Sequence, residues 1–238
     1  MNDLKTSLYS QHIKLEAKMA SFAGYVMPIN YKNGLKFEYK SIRENVGMFD
    51  VSHMGQIFIK GPDSIDFLQY LTTNNINNLN NNCAQYSTIC NHDGGIIDDI
   101  IVYKFNDEFF LVIINASNID VKFDWFSKNS KNFNLELYNN SKEYSMVALQ
   151  GPNSRKVLSQ IIDRKIILDF YTFCKIEYNK SDLIISRTGY TGELGFELIG
   201  NHDLINKIWE ELLNYEVSPC GLGVRDILRM EMKYCLYG

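Results

Sequence analysis

The sequence has few of the features that mark membrane, secreted or nucleic-acid-binding proteins. Its longest apolar runs, such as 109–114, have the length of a strand and are too short to cross a bilayer. Lysine and arginine are scattered, and the net charge of -4 argues against a basic nucleic-acid surface. The N-terminus shows neither the apolar core of a signal peptide nor the arginine-rich pattern of a transit peptide. We therefore expect a soluble cytoplasmic protein, or a matrix protein if the source is eukaryotic, that binds neither membranes nor nucleic acid.

Cysteine and proline are also sparse. The 5 cysteines form no CxxC pair and have no histidine at metal-binding spacing, which predicts reduced, mostly buried thiols and no metal site. There are 4 prolines, and no Pro/Gly/Ser-rich linker divides the chain, so any domains must pack closely or share strands. An apolar content of 45% over 238 residues is enough for one large core or two interleaved ones.

Hydrophobic patterning predicts mainly strands. The runs 100–105 and 109–115 flank a turn-like Asn-Asp-Glu and predict a hairpin, and further strands are predicted at 56–60, 145–150, 183–187 and 195–199. Helices are predicted at 202–214 and at 120–128. The second of these places Val121, Trp125 and Phe126 on one side.

One sequence pattern occurs twice, 90 positions apart. Gly-Pro-Asp-Ser at 61–64 and Gly-Pro-Asn-Ser at 151–154 each follow an apolar strand and start an amphipathic helix with proline and a capping-type residue. The repeat predicts two related α+β subdomains, approximately 1–55 plus 140–238, and 56–139. The alternative is coincidence, since Gly-Pro turns commonly start helices.

The segment 91–103 places two adjacent acids inside an apolar strand. Gly94 and Gly95 form a permissive turn, and Asp98 and Asp99 follow among isoleucines. Because neighbouring strand residues point to opposite faces, the two acids cannot share one role. We expect one to face a cavity and the other to face away. The alternative is that both are caps or members of structural ion pairs.

Two other segments bring glycines or arginines next to an acid. The stretch 187–195 has three glycines around Tyr190, which indicates a backbone held close to a ligand or sharply bent, and Glu197 follows among apolar strand residues. The stretch 221–226 is a turn into a helix on which Arg225 and Arg229 can share a side. Such arginines suit a carboxylate ligand, or they pair with the acids at 226 and 231.

A lone histidine lies in the segment 47–55. Without a paired nucleophile or second ligand in the sequence, His53 is interpreted as a structural histidine that is hydrogen-bonded in the core. Phe49 and Met54 are ordinary core candidates, although flat apolar side chains also suit an aromatic ligand.

Together these segments resemble the aminomethyltransferase of the glycine cleavage system, and the resemblance covers essentially the entire chain. The matching motifs, in the family's order, are GMFDVSHMG at 47–55, GGIIDDIIVY at 94–103, SRTGYTGELGFEL at 186–198, GLGVRD at 221–226 and LYG at 236–238. The resemblance implies an α+β fold of two interleaved subdomains with antiparallel sheets and flanking helices. It also implies a third, β-barrel domain that is absent from this sequence.

The resemblance further implies a reaction. Tetrahydrofolate, as co-substrate and without a metal, would accept the aminomethyl carbon from the lipoyl arm of the glycine cleavage carrier protein. The products would be 5,10-methylenetetrahydrofolate and ammonia. The alternatives are a folate-binding protein without transferase activity, such as a regulatory module or inactive fragment, and a folate-linked demethylation domain.

The resemblance also implies roles for individual residues. Asp99, the second acid of GGIIDD, matches the catalytic aspartate, and Asp98 would support it from the other face. Glu197 matches the acid that bonds the pterin, and Arg225 matches an arginine that contacts the substrate. The remaining positions that match the lining of the folate pocket are Met54, Tyr86, Tyr103, Asn115 and Tyr190.

Overall fold

The computed structural model describes residues 3–236 of the chain. Its contacts divide into two units. The first unit holds the chain up to His53 together with Tyr144–Phe170 and Cys174–Leu236, and the second holds Met54–Glu143 and Tyr171–Phe173. Tyr237 and Gly238, the end of the LYG motif, lie outside the described residues.

The fold is α+β, as the sequence predicts. The helices are α1 (Tyr9–Lys14), α2 (Leu35–Glu44), α3 (Ser64–Leu71), α4 (Ile119–Asn129), α5 (Ser154–Ile161), α6 (His202–Asn214) and α7 (Leu222–Glu231), with a short 3-10 turn at Ile76–Asn78. The strands are β1 (Lys18–Phe22), β2 (Tyr25–Asn30), β3 (Gly47–Asp50), β4 (Gly55–Lys60), β5 (Cys83–Cys90), β6 (Ile96–Asn106), β7 (Phe109–Ile114), β8 (Glu136–Asn139), β9 (Tyr144–Gln150), β10 (Phe173–Tyr178), β11 (Ser181–Ser186), β12 (Gly195–Asn201) and β13 (Ser218–Cys220). In the described part of the chain, no helix has the length and apolar character needed to cross a membrane.

The second unit is built on a five-stranded antiparallel sheet. Its strand order is β5-β6-β7-β4-β8, and β6 and β7 form the hairpin predicted from the sequence. One face of this sheet is apolar and buries residues such as Ile57, Val102 and Val112 in a core that also contains Phe67 of α3 and Phe126 of α4. We call it the core face, and we call the opposite side the outer face.

The first unit contains a six-stranded sheet and a two-stranded hairpin. The sheet order is β10-β11-β12-β9-β3-β13, and β1 pairs with β2. The pairs β11–β12, β12–β9 and β9–β3 are antiparallel, whereas β13 runs parallel to β3, so this sheet departs from the purely antiparallel sheet that we expected. Its core contains Phe196 and Leu198 of β12 and is completed by Ile205 and Trp209 of α6.

Both copies of the Gly-Pro pattern form a strand, a turn and a helix. One connects β4 to α3 and the other connects β9 to α5. Gly61 and Gly151 both have positive φ, and a side chain at either position would collide with neighbouring backbone atoms. These two constraints explain why both copies have glycine at this position. The capping prediction was wrong, because Asp63 and Asn153 stand at the N-cap positions without making a side-chain capping hydrogen bond.

One position of helix α4 departs from the sequence-based prediction. Phe126 is buried and Trp125 packs against the same core, as expected, but Val121 is 65% exposed and Lys122 is 1% exposed. An apolar residue therefore faces solvent while its charged neighbour is buried.

The 5 cysteines are all free, as predicted, but most of them are not buried. Cys220 is buried, whereas Cys83, Cys90 and Cys174 are partly exposed and Cys235 is exposed.

Candidate functional site

The strand register separates the two adjacent aspartates of β6. Asp98 pairs with Ile89 and Asp99 pairs with Thr88 of β5. Since side chains alternate along a strand, Asp98 shares the core face with Ile100 and Val102, and Asp99 lies on the outer face with Tyr103. The two acids therefore have different surroundings, as their adjacency in the sequence predicted.

Asp98 is a fully buried ion-pair member. One of its carboxylate oxygens lies 2.8 Å from Nζ of Lys122. It also accepts hydrogen bonds from the backbone N–H of Asn115 at 3.0 Å and from Nδ2 of Asn115 at 2.9 Å. Burial raises the pKa of Asp98, and the bonds from Lys122 and Asn115 offset part of that effect. Burial likewise lowers the pKa of Lys122, against the stabilising contact with Asp98.

Asp99 is half-buried and is held by two neighbours of the outer face. Nδ2 of Asn115 donates to Oδ1 of Asp99 at 2.8 Å, and the Tyr86 hydroxyl donates to Oδ2 at 3.2 Å. The Tyr86 side chain is 42% exposed. Each carboxylate oxygen can accept more than one hydrogen bond, so both retain acceptor capacity in this arrangement. The structure thus brings three of the sequence-predicted residues into direct contact.

Two further predicted residues of the second unit lie near the same sheet. Met54 is half-buried and directly precedes β4, whose first residue, Gly55, pairs with Ile114. Met54 and Asn115 therefore both lie at this end of the β4–β7 pair. Tyr103 is on the outer face, fully buried, with its ring edge against Phe173 at a centroid distance of 5.4 Å.

The predicted residues of the first unit form a second polar cluster. The Arg225 guanidinium lies 4.5 Å from the centre of the Tyr190 ring, and Phe49 packs edge-on against that ring at 5.7 Å. Burial raises the pKa of Tyr190, and the nearby Glu197 carboxylate acts in the same direction. Glu197 is itself buried and accepts a hydrogen bond from the Thr188 hydroxyl.

The two arginines of α7 have different partners. Arg229 binds Asp226 through Nε at 2.8 Å, which is the structural ion pair considered as an alternative. Arg225 makes no ion pair with any residue between 3 and 236 and stacks on Tyr190 instead. Glu231 binds Arg43 rather than either α7 arginine.

His53 is buried, but it is not the hydrogen-bonded histidine that we expected. Its side chain is 1% exposed, and its ring lies edge-on to Phe22 at 5.7 Å. Nδ1 of His53 is buried and has no hydrogen-bond partner in the described part of the chain. Burial and the positive charge of Arg225 lower the pKa of His53 to about 4, so the ring is neutral at pH 7.

The first unit also contains a buried network around Asp50. His12 Nε2 lies 2.9 Å from Oδ2 of Asp50, the Thr6 hydroxyl donates to the same oxygen at 2.7 Å, and the Tyr31 hydroxyl lies 2.8 Å from Nδ1 of His12. Burial raises the pKa of Asp50, but hydrogen bonds and the charge of His12 outweigh it and leave that pKa below its usual range. This network connects α1 and β3 with Tyr31, the residue that directly follows β2.

Sequence reasoning missed Lys122 and the Asp50 network. The available signal for Lys122 was its position one helical turn before the buried Phe126, in a chain that has an acid inside a strand. Within residues 3–236 there is no group of three or more His, Cys, Asp or Glu side chains placed to hold a metal ion.

The sequence matches a known family over almost its whole length. The family model described as GCVT N-terminal domain matches residues 8–238. The chain belongs to this family. Among curated relatives of this GCVT-domain chain, the aminomethyltransferase of Thermosipho melanesiensis is 47% identical over 98% of the chain and 64% of the relative. That of Pseudothermotoga lettingae is 43% identical over 98% of the chain and 66% of the relative.

Solved structures agree with the family assignment. The glycine cleavage system aminomethyltransferase T from Bartonella henselae superposes with a TM-score of 0.91 at 32% identity, over 98% of this chain and 63% of that one. A chain of the heterotetrameric sarcosine oxidase from Corynebacterium sp. U-96 superposes with a TM-score of 0.55 at 11% identity, over 98% of both chains, which is a likeness of fold alone. The GCVT-domain chain thus spans about two thirds of the length of these aminomethyltransferases.

Proposed function

We propose that this chain carries the catalytic and folate-binding residues of a tetrahydrofolate-dependent aminomethyltransferase. The reaction is transfer of the aminomethyl carbon from the lipoyl arm of a glycine cleavage carrier protein to tetrahydrofolate. The products are 5,10-methylenetetrahydrofolate, ammonia and the reduced lipoyl carrier. The family match and the names of the relatives support the reaction class.

The observation that carries the proposal is the setting of Asp99. This carboxylate is half-buried, lies on the outer face rather than in the core, and is oriented by Asn115 and Tyr86. A fixed carboxylate with free acceptor capacity suits a group that engages the N10 side of the folate and manages protons as the ring closes. Asp98 cannot take this role, because it is fully buried and paired with Lys122.

The other predicted residues are proposed to bind and orient the folate. Tyr86 and Met54 offer aromatic and apolar surface in the second unit, and Tyr103 lies on the same face of the sheet as Tyr86. In the first unit, the buried Glu197 carboxylate suits the N–H groups of a pterin, and the Arg225 guanidinium suits a carboxylate. Tyr190, under that guanidinium, supplies a ring surface.

Replacing Asp99 by asparagine tests the proposal. We expect near-complete loss of methylene transfer, measured as ammonia released from aminomethylated lipoyl carrier, with tetrahydrofolate binding mostly retained in a direct titration. Asp124→Asn, at an exposed position of α4, is the matched control and should behave as the unchanged chain. If the Asp99→Asn variant keeps its transfer activity, the role of Asp99 is wrong. If the unchanged chain binds tetrahydrofolate without transfer, it is a folate-binding module.

A further inference from the structure

The buried pair of Lys122 and Asp98 needs an explanation beyond stability. Both side chains are at most 1% exposed, and Nζ of Lys122 lies 2.8 Å from the carboxylate. Removing two charges from water costs free energy that their attraction often only balances, so an apolar pair of similar size would commonly be as stable. The pair also lies on the core face, where it is shielded from solvent. Any effect of the pair on a ligand at the outer face must therefore act through the residues that the pair contacts.

The neighbour that connects the pair to the outer face is Asn115, just after β7. The Lys122 ammonium donates to the backbone carbonyl of Asn115 at 3.1 Å. Asp98 accepts from the backbone N–H of Asn115 at 3.0 Å and from its Nδ2 at 2.9 Å. Asn115 is therefore held at its carbonyl, its N–H and its side chain by the two members of one ion pair.

These contacts decide which end of the Asn115 amide faces the candidate catalytic carboxylate. Nδ2 of Asn115 donates to Oδ1 of Asp98 and, at 2.8 Å, to Oδ1 of Asp99. A flipped amide would place its oxygen against two carboxylates, which is electrostatically unfavourable. Nδ2 of Asn115 also donates to the backbone carbonyl of Asp99 at 3.0 Å, so the buried pair acts together with this carbonyl to hold the amide in the orientation in which it donates to the Asp99 carboxylate.

We propose that the buried pair of Lys122 and Asp98, with Asp98 as the member that contacts the Asn115 side chain, acts through Asn115 to hold the Asp99 carboxylate in its reactive orientation. The inference rests on the proposed function in one respect, which is that Asp99 reacts with the folate. The pair lies in the core and does not touch substrate. It sets the geometry of a group that does, and small displacements of a reacting group have large effects on rate.

The test compares three variants that separate position from stability. K122M/D98L removes the pair without leaving an unpaired buried charge. K122M/D98N has the same lysine change but returns an amide oxygen that can accept from Asn115. K104M is the matched control, because Lys104 is also a largely buried lysine of this unit, paired with Asp107 at 2.8 Å and not with Asn115.

The expected kinetic result is a loss in kcat and not in KM. For K122M/D98L we expect kcat for methylene transfer to fall about 10- to 100-fold, with KM for tetrahydrofolate nearly unchanged. K122M/D98N should recover most of that loss, and K104M should match the unchanged chain. A purely structural role predicts instead that kcat follows the thermal stability of each variant. Wild-type kcat in a folded K122M/D98L would overturn the inference.

A second readout does not depend on turnover. The side-chain amide of Asn115 gives two N–H signals in ¹H–¹⁵N spectra, and its nitrogen lies within hydrogen-bond distance of the carboxylates of Asp98 and Asp99 and of the Asp99 backbone carbonyl. In K122M/D98L we expect these signals to shift and to exchange faster with solvent, with recovery in K122M/D98N. Unchanged Asn115 signals would overturn the inference even if the enzyme is active. An inactive unchanged chain would contradict the proposed function, and the spectra would still decide the positioning.

If K122M/D98L does not fold, the milder Lys122→Gln replaces it. Glutamine keeps a donor for Asp98 and removes the charge. A several-fold lower kcat at constant KM, with shifted Asn115 amide signals, is then the supporting result. Wild-type kcat together with unshifted Asn115 signals is the contradicting one.

Discussion

The buried histidine of the first unit should make the stability of the protein depend on pH in a definite window. Burial and the charge of Arg225 lower the pKa of His53 from 6.5 to about 4. Between these two values the unfolded chain binds a proton that the native ring does not. The unfolding free energy therefore falls as the pH drops from 6.5 toward 4, and this loss is absent above pH 7.

The size of the effect follows from the same two values. One pKa unit corresponds to about 1.4 kcal/mol, so the complete effect below pH 4 is about 3 kcal/mol. Between pH 7 and pH 5 the His53 contribution to the unfolding free energy falls by about 2 kcal/mol. Replacing His53 by leucine removes the titrating group and the unpaired Nδ1 while keeping apolar contact with Phe22.

The assay is urea unfolding of the unchanged chain and of His53→Leu at pH 7, 6 and 5. Other titrating groups, including Asp50, are present in both proteins and cancel in the difference between them. We expect the leucine variant to be as stable or more stable at pH 7, because a buried unpaired polar atom costs about 1–3 kcal/mol. Its advantage should then grow by about 2 kcal/mol at pH 5. Parallel pH profiles for the two proteins would refute the reasoning, and His53→Gln checks that the imidazole and not the side-chain size is responsible.

Two further predictions concern the stability of the first unit. His12→Leu leaves the buried Asp50 carboxylate without its ring-nitrogen partner and should lower the unfolding free energy by about 3–5 kcal/mol, and adding Asp50→Asn should recover part of that loss. No recovery in the double variant would contradict this account. Gly221→Ala places a methyl group against the Ile29 carbonyl, a backbone contact that cannot rotate away, and should cost about 1–3 kcal/mol in thermal or urea unfolding. An alanine variant of wild-type stability would mean that this backbone segment shifts freely.

Local patterning predicted much of the secondary structure. The helix at 202–214 has the bounds of α6, because apolar residues at helical spacing and Asn201 at the N-cap agree. The β6–β7 hairpin followed from two apolar runs around a polar turn. The alternation of side chains along a strand was enough to predict that Asp98 and Asp99 lie on opposite faces. These features depend on residues within a few positions of one another.

In helix α4 the local pattern did not predict correctly which residue is buried. The helical periodicity predicted Val121 on the buried side, but the structure buries Lys122. The reason is a charge on a different element: Asp98, 24 positions earlier, supplies the partner that makes a buried lysine tolerable. No local rule connects the two positions, because their contact depends on how α4 docks on the sheet.

Tertiary contacts also determine which partners the candidate site residues have, and the sequence pattern did not predict those partners. Charge and helical spacing alone left Arg225 and Arg229 equivalent, and only the resemblance distinguished Arg225. The packing stacks Arg225 on Tyr190 and pairs Arg229 with Asp226. It identified His53 as a core residue, and the packing left Nδ1 of that ring unpaired. Periodicity along the chain determines which side of an element a residue occupies. The partner it meets there depends on strand register and helix docking, which are set by contacts between distant parts of the chain.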